Sequence, residues 1–352
     1  MNTFINIHVI QTLPPNALNR DDSGVPKKVS FGGVERSRIS SQSWKYAMRE
    51  FFSENGGEQY VGYRSTQLPV KLEERIKEAV PDVSEKILSK IVSTVSSVIN
   101  KLDSDSKTNN ASKMLIFYSP VQFERLVESS IAVANGEKKS ITVDEVKGCL
   151  LAKNSVDLAL FGRMMTAYPE LSVKASANIA HVLGVEPYKT QRDSFVGKDD
   201  ELEKVKIMGT TGFVTSTFYR YGCLDTNLLL ENLDGDVKLT KEAIGVFLNA
   251  FVKSIPSGKQ SSFAARTLPS FIMVSLSHNQ PVSLANAFGN AIVNNIEENA
   301  ITRLVDEADG INQMYDSEDV YFYASTKKYD VPFAEKKSFS EVVKSVKEGV
   351  EL

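Results

Sequence analysis

Apolar residues along this chain switch repeatedly between the alternating pattern of strands and the spacing of helices, which confines it to folds that interleave the two. Residues 3–11 are β-formers with Ile5, Ile7 and Val9 on one side, an N-terminal strand with one packed face that leaves His8 on the sheet surface. Leu13-Pro14-Pro15-Asn16 reads as a loop by its prolines. Ser40 and Ser41 precede residues 42–52, where Trp44, Ala47, Met48 and Phe51 form one apolar stripe, so a serine-capped amphipathic helix is expected. Residues 70–102 read as two helices broken at Pro81, and 103–113 as a polar, flexible loop. Ser119-Pro120 supplies the cap and first-turn proline of a helix that Gly136 stops. After residues 154–161 the pattern turns extended: Ile179, His181 and Leu183 alternate with Asn178, Ala180 and Val182, and 212–223 is a second β-type run. Helices are expected at 240–255 and 282–296, a strand between them at 271–277, and a last strand at 321–324. Such alternation indicates an α/β or α+β sheet domain with insertions rather than a bundle or a sandwich.

One stretch breaks the pattern. Residues 186–209 hold five Lys or Arg and six Asp or Glu with almost no periodicity, too long for a routine connection, so this segment should protrude. A mean hydropathy of -0.19 with 24% charged residues excludes a membrane protein and a disordered chain alike. Met1-Asn2-Thr3-Phe4-Ile5 lacks the basic and apolar regions of a signal peptide, so the expected location is the cytoplasm. Cys149 and Cys223 make no disulfide framework, and His8, His181 and His278 have no metal-ligand spacing, so neither metal nor cofactor is expected. The net charge of -3 argues against a polyanion partner, but its distribution is uneven. Residues 243–296 contain Lys253, Lys259 and Arg266 and no acid, whereas 297–352 carry 13 acids against 7 bases, so one surface could be positive and another negative.

The richest stretch for chemistry is 19–50, with seven Lys or Arg and four acids. Gln42, Lys45 and Arg49 share the helix face opposite Trp44 and Met48. Ahead of them Arg36, Arg38, Ser40 and Ser41 cluster at the helix N-terminus, where unpaired N–H groups and the dipole favour an anion such as phosphate. Spacing alone leaves a solvated face with a routine serine cap as an equal alternative. Phe161-Gly162-Arg163-Met164-Met165 could fill a core or form an exposed wedge. Phe195 and Met208 are apolar residues in the charged protrusion, with a nucleobase or a neighbouring subunit as possible contacts. Residues 257–266 form a basic, glycine-containing loop carrying Lys259 and Arg266. No nucleophile with its base, no paired catalytic carboxylates and no nucleotide loop is present, and Asp21-Asp22 fits solvated turn residues better than a Mg²⁺ site, so the chain is not expected to be an enzyme.

Specific runs carry a family resemblance: Phe4-Ile5-Asn6-Ile7-His8-Val9, Leu18-Asn19-Arg20-Asp21-Asp22, Phe31-Gly32-Gly33, Arg38-Ile39-Ser40-Ser41-Gln42-Ser43 and Lys45-Tyr46-Ala47-Met48-Arg49. Together with 156–164, 176–181, Phe218-Tyr219-Arg220-Tyr221, Gly258-Lys259-Gln260 and 283–288, they make the chain similar to the crRNA-binding, multi-copy backbone subunit of type I-E CRISPR Cascade. The likeness runs through most of the chain and is weakest over 53–150 and after about 300. It implies an α+β fold: an RRM-like (ferredoxin-like) palm from 1–55 and 155–352, a helical fingers insertion at 56–154, and a thumb hairpin at about 186–209. It further implies several copies on one guide RNA, each kinking it at a regular interval and leaving bases free to pair with target DNA, and partners among other Cascade subunits but no membrane.

By position the resemblance assigns guide-backbone contacts to Arg20, Ser40, Gln42, Lys45 and Arg49, joined by Lys259 and Arg266, and wedge contacts to Met164, Phe195 and Met208; Arg38 and Arg163 complete the expected RNA-binding set. Sequence readout is then left to base pairing, while the protein holds phosphate and shape. Lys138 and Lys139 resemble lysines that grip duplex DNA, although Asp144 and Glu145 depart from the family's lysine run. The alternative within the same superfamily is a metal-dependent ribonuclease using Asp21 or Asp22 on guide-bound target RNA.

Overall fold

The protein is described by a computed structural model over residues 2–99, 115–151, 153–198 and 206–352. The expected loop at 103–113 and the centre of the 186–209 stretch lie outside the described residues. The chain opens with β1 (Phe4–Asn16), β2 (Lys28–Phe31), β3 (Val34–Ile39) and α1 (Ser41–Asn55). There follow β4 (Tyr63–Ser65), α2 (Leu68–Ala79), α3 (Glu85–Ile99), β5 (Ile116–Tyr118), α4 (Pro120–Ala134), α5 (Val143–Leu151) and α6 (Val156–Phe161). Next come β6 (Ala177–Ile179), β7 (Val182–Pro187), β8 (Gln191–Lys198), β9 (Lys206–Asp225), α7 (Thr226–Asn232), α8 (Val237–Lys253) and α9 (Gln260–Phe263). The chain closes with β10 (Phe271–Ser277), α10 (Ile296–Met314), β11 (Val320–Ser325), β12 (Ala334–Lys336) and α11 (Phe339–Gly349). Short 3-10 turns occupy 58–60, 169–171 and 285–288. No helix among the described residues is long and apolar enough to cross a membrane.

Two compact units result, one of residues 1–51, 178–226 and 244–351, the other of 52–177, 227–243 and 352. The first contains a mixed sheet ordered β12-β11-β10-β1-β9-β7-β3-β2, with β6 and β8 also pairing β9. The β2/β3, β3/β7, β7/β9, β8/β9, β1/β9, β1/β10 and β10/β11 ladders are antiparallel and β11/β12 is parallel. β1 lies between β10 and β9, and helices cover both of its faces. On one, Ile10, Tyr219, Met273 and Tyr323 meet Ile301, Leu304 and Val305 of α10. On the other, Arg220 of β9 reaches Trp44 of α1 and Phe251 of α8, and α11 packs on β10 and β11.

This double cover corrects the one-faced reading of β1. His8 is buried, not on the sheet surface: it stacks 5.2 Å from the Tyr221 ring and its Nδ1 lies 3.0 Å from the Tyr219 hydroxyl. Leu284 N donates to that hydroxyl at 3.0 Å. Pro14 and Pro15 do not end the strand. β1 continues to Asn16 with a register shift between Leu13 and Asn16, the kind of irregularity at which a strand tolerates prolines.

The helix expected at 282–296 is absent; only 285–288 makes a single 3-10 turn. Its backbone donors go to the sheet instead, Leu284 N to Tyr219 and Ile292 N to Val185 O at 3.0 Å, a contact that β7 supplies and local sequence does not reveal. Helix formation begins at Ile296, after Asn295 adopts a left-handed φ of 40°. The strands at 271–277 and 321–324 are present, as is the helix opened by Ser119, whose side chain forms a capping box with Gln122, and stopped at Gly136, φ 78°.

The second unit is built on α2 to α5, whose apolar stripes meet through Leu72, Ile76, Leu88, Val95, Leu126 and Leu150. β4 and β5 form a separate two-stranded ladder.

Burial holds the His8 imidazole down at about 3 from its ordinary 6.5, so the folded protein keeps it neutral where the unfolded chain would bind a proton. Its contribution to stability is complete above pH 6.5 and is lost as pH falls from there toward 3, by roughly 1 kcal/mol per pH unit. In denaturant titrations between pH 7 and 4, His8→Gln should flatten the stability profile by one proton; an unchanged slope would disprove the assignment.

Candidate nucleic-acid interface

The start of α1 is set by three separate chain segments. Ser40 is the cap: its Oγ accepts from Ser43 N at 3.2 Å, and its own N donates to Asn19 Oδ1 at 3.0 Å. Ser41 N donates to His181 Nδ1 at 3.0 Å, and the Arg38 guanidinium lies 3.5 Å from the same nitrogen. Burial, then the positive charges of Arg38 and Lys27, lower the His181 pKa, which suits the neutral acceptor this cap requires. Past the cap, Trp44, Ala47 and Met48 are buried, Gln42 and Tyr46 are exposed, and Lys45 and Arg49 are half-buried, the division that the helical spacing predicts.

The loop after β1 lies beside this helix start. Lys27 O accepts from Arg38 N and Lys27 N donates to Asn19 O, both at 2.9 Å, leaving Arg20 exposed. Asp21 shapes the loop from within, its Oδ1 accepting from Ser23 N at 2.9 Å and Val25 N at 3.0 Å. Among the described residues no group of three or more His, Cys, Asp or Glu could hold a metal ion.

A second loop, 256–267, comes against the first. Gly258 is required there, because a Cβ would stand 2.3 Å from Leu18 O. Lys259 and Ala264 both take left-handed φ, 53° and 46°, at the two ends of α9. The Gln260 amide ties the turn to Pro256 O at 3.2 Å, and Phe263 meets Phe213 of β9 at 5.7 Å between centroids. The root of the β8–β9 hairpin joins them through Tyr188 Oη, which donates to Pro26 O at 3.1 Å. Arg20, Lys27, Arg38, Lys259 and the first turn of α1 are thereby gathered on connected loops at one rim of the sheet unit, and exposed Arg266 follows on the same loop.

Part of the 186–209 stretch is this hairpin: β9 pairs β1 from Val214 onward, and its first residues pair β8 beyond the end of β1. Phe195 stands opposite Gly209 and Val196 opposite Met208, which puts Phe195 and Met208 on opposite faces. The Phe195 ring lies across Gly209, where a Cβ would come within 2.3 Å of it, yet Phe195 is 51% exposed. Met208 is 78% and Val196 55% exposed, so the apolar pair on that face is Val196 with Met208.

Two arginines read as phosphate ligands belong to the interior instead. Arg163 is buried in the second unit and donates to Leu171 O at 2.8 Å, Leu150 O at 2.9 Å and Phe117 O at 3.0 Å. Burial lowers its pKa to about 10, so it stays cationic while its donors are taken up by main-chain carbonyls. Arg36 is likewise buried, bonded to Val185 O at 2.6 Å and Phe288 O at 3.2 Å. Met164, next to Arg163, is 79% exposed. Lys138 pairs with Glu145 at 3.1 Å, while Lys139 is exposed. His181 and Lys27 were not picked out from sequence: one sits 140 residues from the amide it accepts, and nothing local marks either.

A rim of cations, served by loops that fix their own shape, can hold the sugar-phosphate chain of a single strand while leaving its bases unread. The chain belongs to the CT1975-like protein family, whose profile matches residues 5–351. It is similar to a chain of the solved "CRISPR RNA-guided surveillance complex, pre-nicking", with 29% identity and a TM-score of 0.86 over 98% of this chain and 99% of that one. A chain of a second solved "CRISPR RNA-guided surveillance complex" shares the fold at 24% identity and TM-score 0.79, covering 99% of this chain and 100% of that one. No curated protein matches the sequence.

Arg163→Met and Arg38→Met should part company in the laboratory. The first removes the buried donors of Leu171 O and Phe117 O, and one of the two that Leu150 O has, and should lower stability by about 3 kcal/mol in urea titrations; the second should leave stability nearly unchanged and reduce the salt dependence of RNA binding by about one ion. Equal stability losses, or an unchanged salt slope for Arg38→Met, would contradict these placements.

Proposed function

We propose that this protein is a non-catalytic, guide-RNA-binding backbone subunit of a type I-E CRISPR surveillance complex acting in the cytoplasm. The observation that carries the reading is the likeness over 98% of the chain to a subunit of a solved CRISPR RNA-guided surveillance complex. The loop-built basic rim supports it by supplying phosphate ligands without base readout. In this reading the sheet unit acts as an RRM-like palm, the helical unit as fingers and the β8–β9 hairpin as thumb. Several copies coat one guide, and exposed Phe195, Val196, Met208 and Met164 press apart its bases at intervals, so that the segments between remain free to pair with target DNA. Both faces of β1 are covered, which directs the RNA to the rim and away from the sheet aromatics. Other subunits of the complex are its remaining partners. The commitment of the Asp21 carboxylate to two amides of its own loop favours a structural part for it over metal-dependent cleavage.

Expressed with a repeat-spacer transcript, the protein should purify with RNA and multimerise on it, and Asp21→Ala should retain both properties. Lys45→Ala with Arg49→Ala should weaken guide binding by the same factor for every spacer, because phosphate contacts carry no sequence. A lone monomer without RNA affinity at low salt would end the proposal, and spacer-dependent losses would remove Lys45 and Arg49 from the phosphate contacts.

A further inference from the structure

We propose that a pocket at the C-terminal end of α8 is a nucleotide subsite, taking one base of a single-stranded RNA against its floor and the adjoining phosphate at its mouth. The proposal rests on the RNA-binding reading and extends it to residues that no motif marks. The cavity, of about 290 Å³, is walled by Val252, Leu268, Ile272 and Phe339. None of its twelve lining residues is acidic, and two, Lys253 and Lys337, are cations. Two carboxylates reach that lining from outside, Glu335 to Lys337 at 3.0 Å and Glu341 to the Ser338 amide at 2.9 Å, and Glu297 is paired with Lys327 at 3.2 Å. Lys337 also donates to Ser345 at 2.7 Å, whereas the exposed Lys253 stands 5.8 Å above the Phe339 ring, at the mouth. With Lys337 answered by Glu335, the concave apolar wall keeps the exposed Lys253 at its lip, which suits a flat, hydrophobic group with a negative charge beside it.

Leu268 adds a second line of support. It is 73% exposed, yet the chain on either side is tied down. Thr267 Oγ1 donates to Thr12 O at 2.8 Å, Thr267 O accepts from Gln11 Nε2 at 2.7 Å, and Ser270 N donates to Ile10 O at 3.1 Å. A leucine fixed in water by an ordered loop gains only when a flat apolar surface covers it. Polar groups for a base edge are present as well, since Ser325 Oγ and Thr326 Oγ1 donate to Ser270 O and keep lone pairs for an exocyclic amine. The pocket continues the rim already described: Leu268 follows Arg266 on the same loop, and Lys253 follows Val252, whose carbonyl is 3.5 Å from the Arg220 guanidinium stacked on Trp44 of α1. Its size favours one ring system over a run of peptide side chains.

The test uses the full chain and single-stranded RNA of about twelve nucleotides, within the site sizes such surfaces cover, carrying 4-thiouridine or one abasic position in turn. Crosslinks should map to residues 268–272 or Phe339. Leu268→Asp and Lys253→Glu, both at exposed positions and therefore expected to fold, should each weaken binding, Leu268→Asp by about tenfold, with an unchanged thermal melt. One abasic position should weaken the parent and add little to Leu268→Asp. Parental affinity in both variants, or an abasic penalty that persists in Leu268→Asp, overturns the subsite while leaving RNA binding standing. A parent that binds no RNA overturns both readings. A Leu268→Asp variant that keeps RNA but loses a co-purifying protein makes the pocket a protein-docking site and overturns the nucleotide assignment.

Discussion

A guanidinium with no carboxylate partner joins the sheet to the helices on one of its faces. Arg220 extends from β9, is fully buried, and donates to Gln11 Oε1 at 2.6 Å in the neighbouring strand and to Phe251 O in α8. Its carbon lies 3.9 Å from the Trp44 ring of α1. An isolated buried cation costs several kcal/mol, and here three sources offset that cost: the last carbonyls of α8, where the helix dipole is negative, the indole face and the Gln11 amide oxygen. Burial pushes its pKa well down from the ordinary arginine value. Because α1 and the end of α8 meet on this one group, the helix start that carries Arg38, Ser40 and Gln42 is fixed relative to the loop that carries Lys259 and Arg266.

Arg36 and Arg163 are used in the same way, each donating to buried main-chain carbonyls of more than one segment. Arginine suits such places because its several donors diverge in a plane and can satisfy carbonyls from different segments at once. In sequence these residues look like Arg20 and Arg38, which are not buried. Composition cannot separate a cation that binds phosphate from one that binds its own backbone, since the distinction lies in contacts such as Arg36 with Phe288, 252 residues apart. This is why charge counting over 19–50 grouped the buried Arg36 with the accessible cations of the same stretch.

The elements legible in the sequence are those whose determinants are local. The α1 stripe, the Ser119 capping box, the Gly136 stop and the β10 run each follow from neighbours in the chain. What was not legible depended on distant partners. β1 reads as half-exposed until α10 is seen to cover the His8 side, and 282–296 reads as a helix until Tyr219 and Val185 are seen to take its amide protons. The candidate site shows the same division: the α1 face could be read from spacing, whereas the His181 cap and the contact of Gly258 with Leu18 could not.

The long-range contacts also explain how a rim made of loops can act as a rigid surface. Ordinary surface loops move because few buried contacts restrain them. Here Asp21 binds its own turn, Asn19 holds the cap residue of α1, Gly258 abuts a backbone carbonyl, and Thr267 is bonded to β1. Left-handed Lys259 and Ala264 cost conformational energy that such surroundings must supply. Preorganised in this way, the loops that carry the cations would lose little conformational freedom on meeting an anion. A surface that offers only cations to a strand meets its phosphates and not its base edges, so on the reading proposed above it would treat every sequence alike.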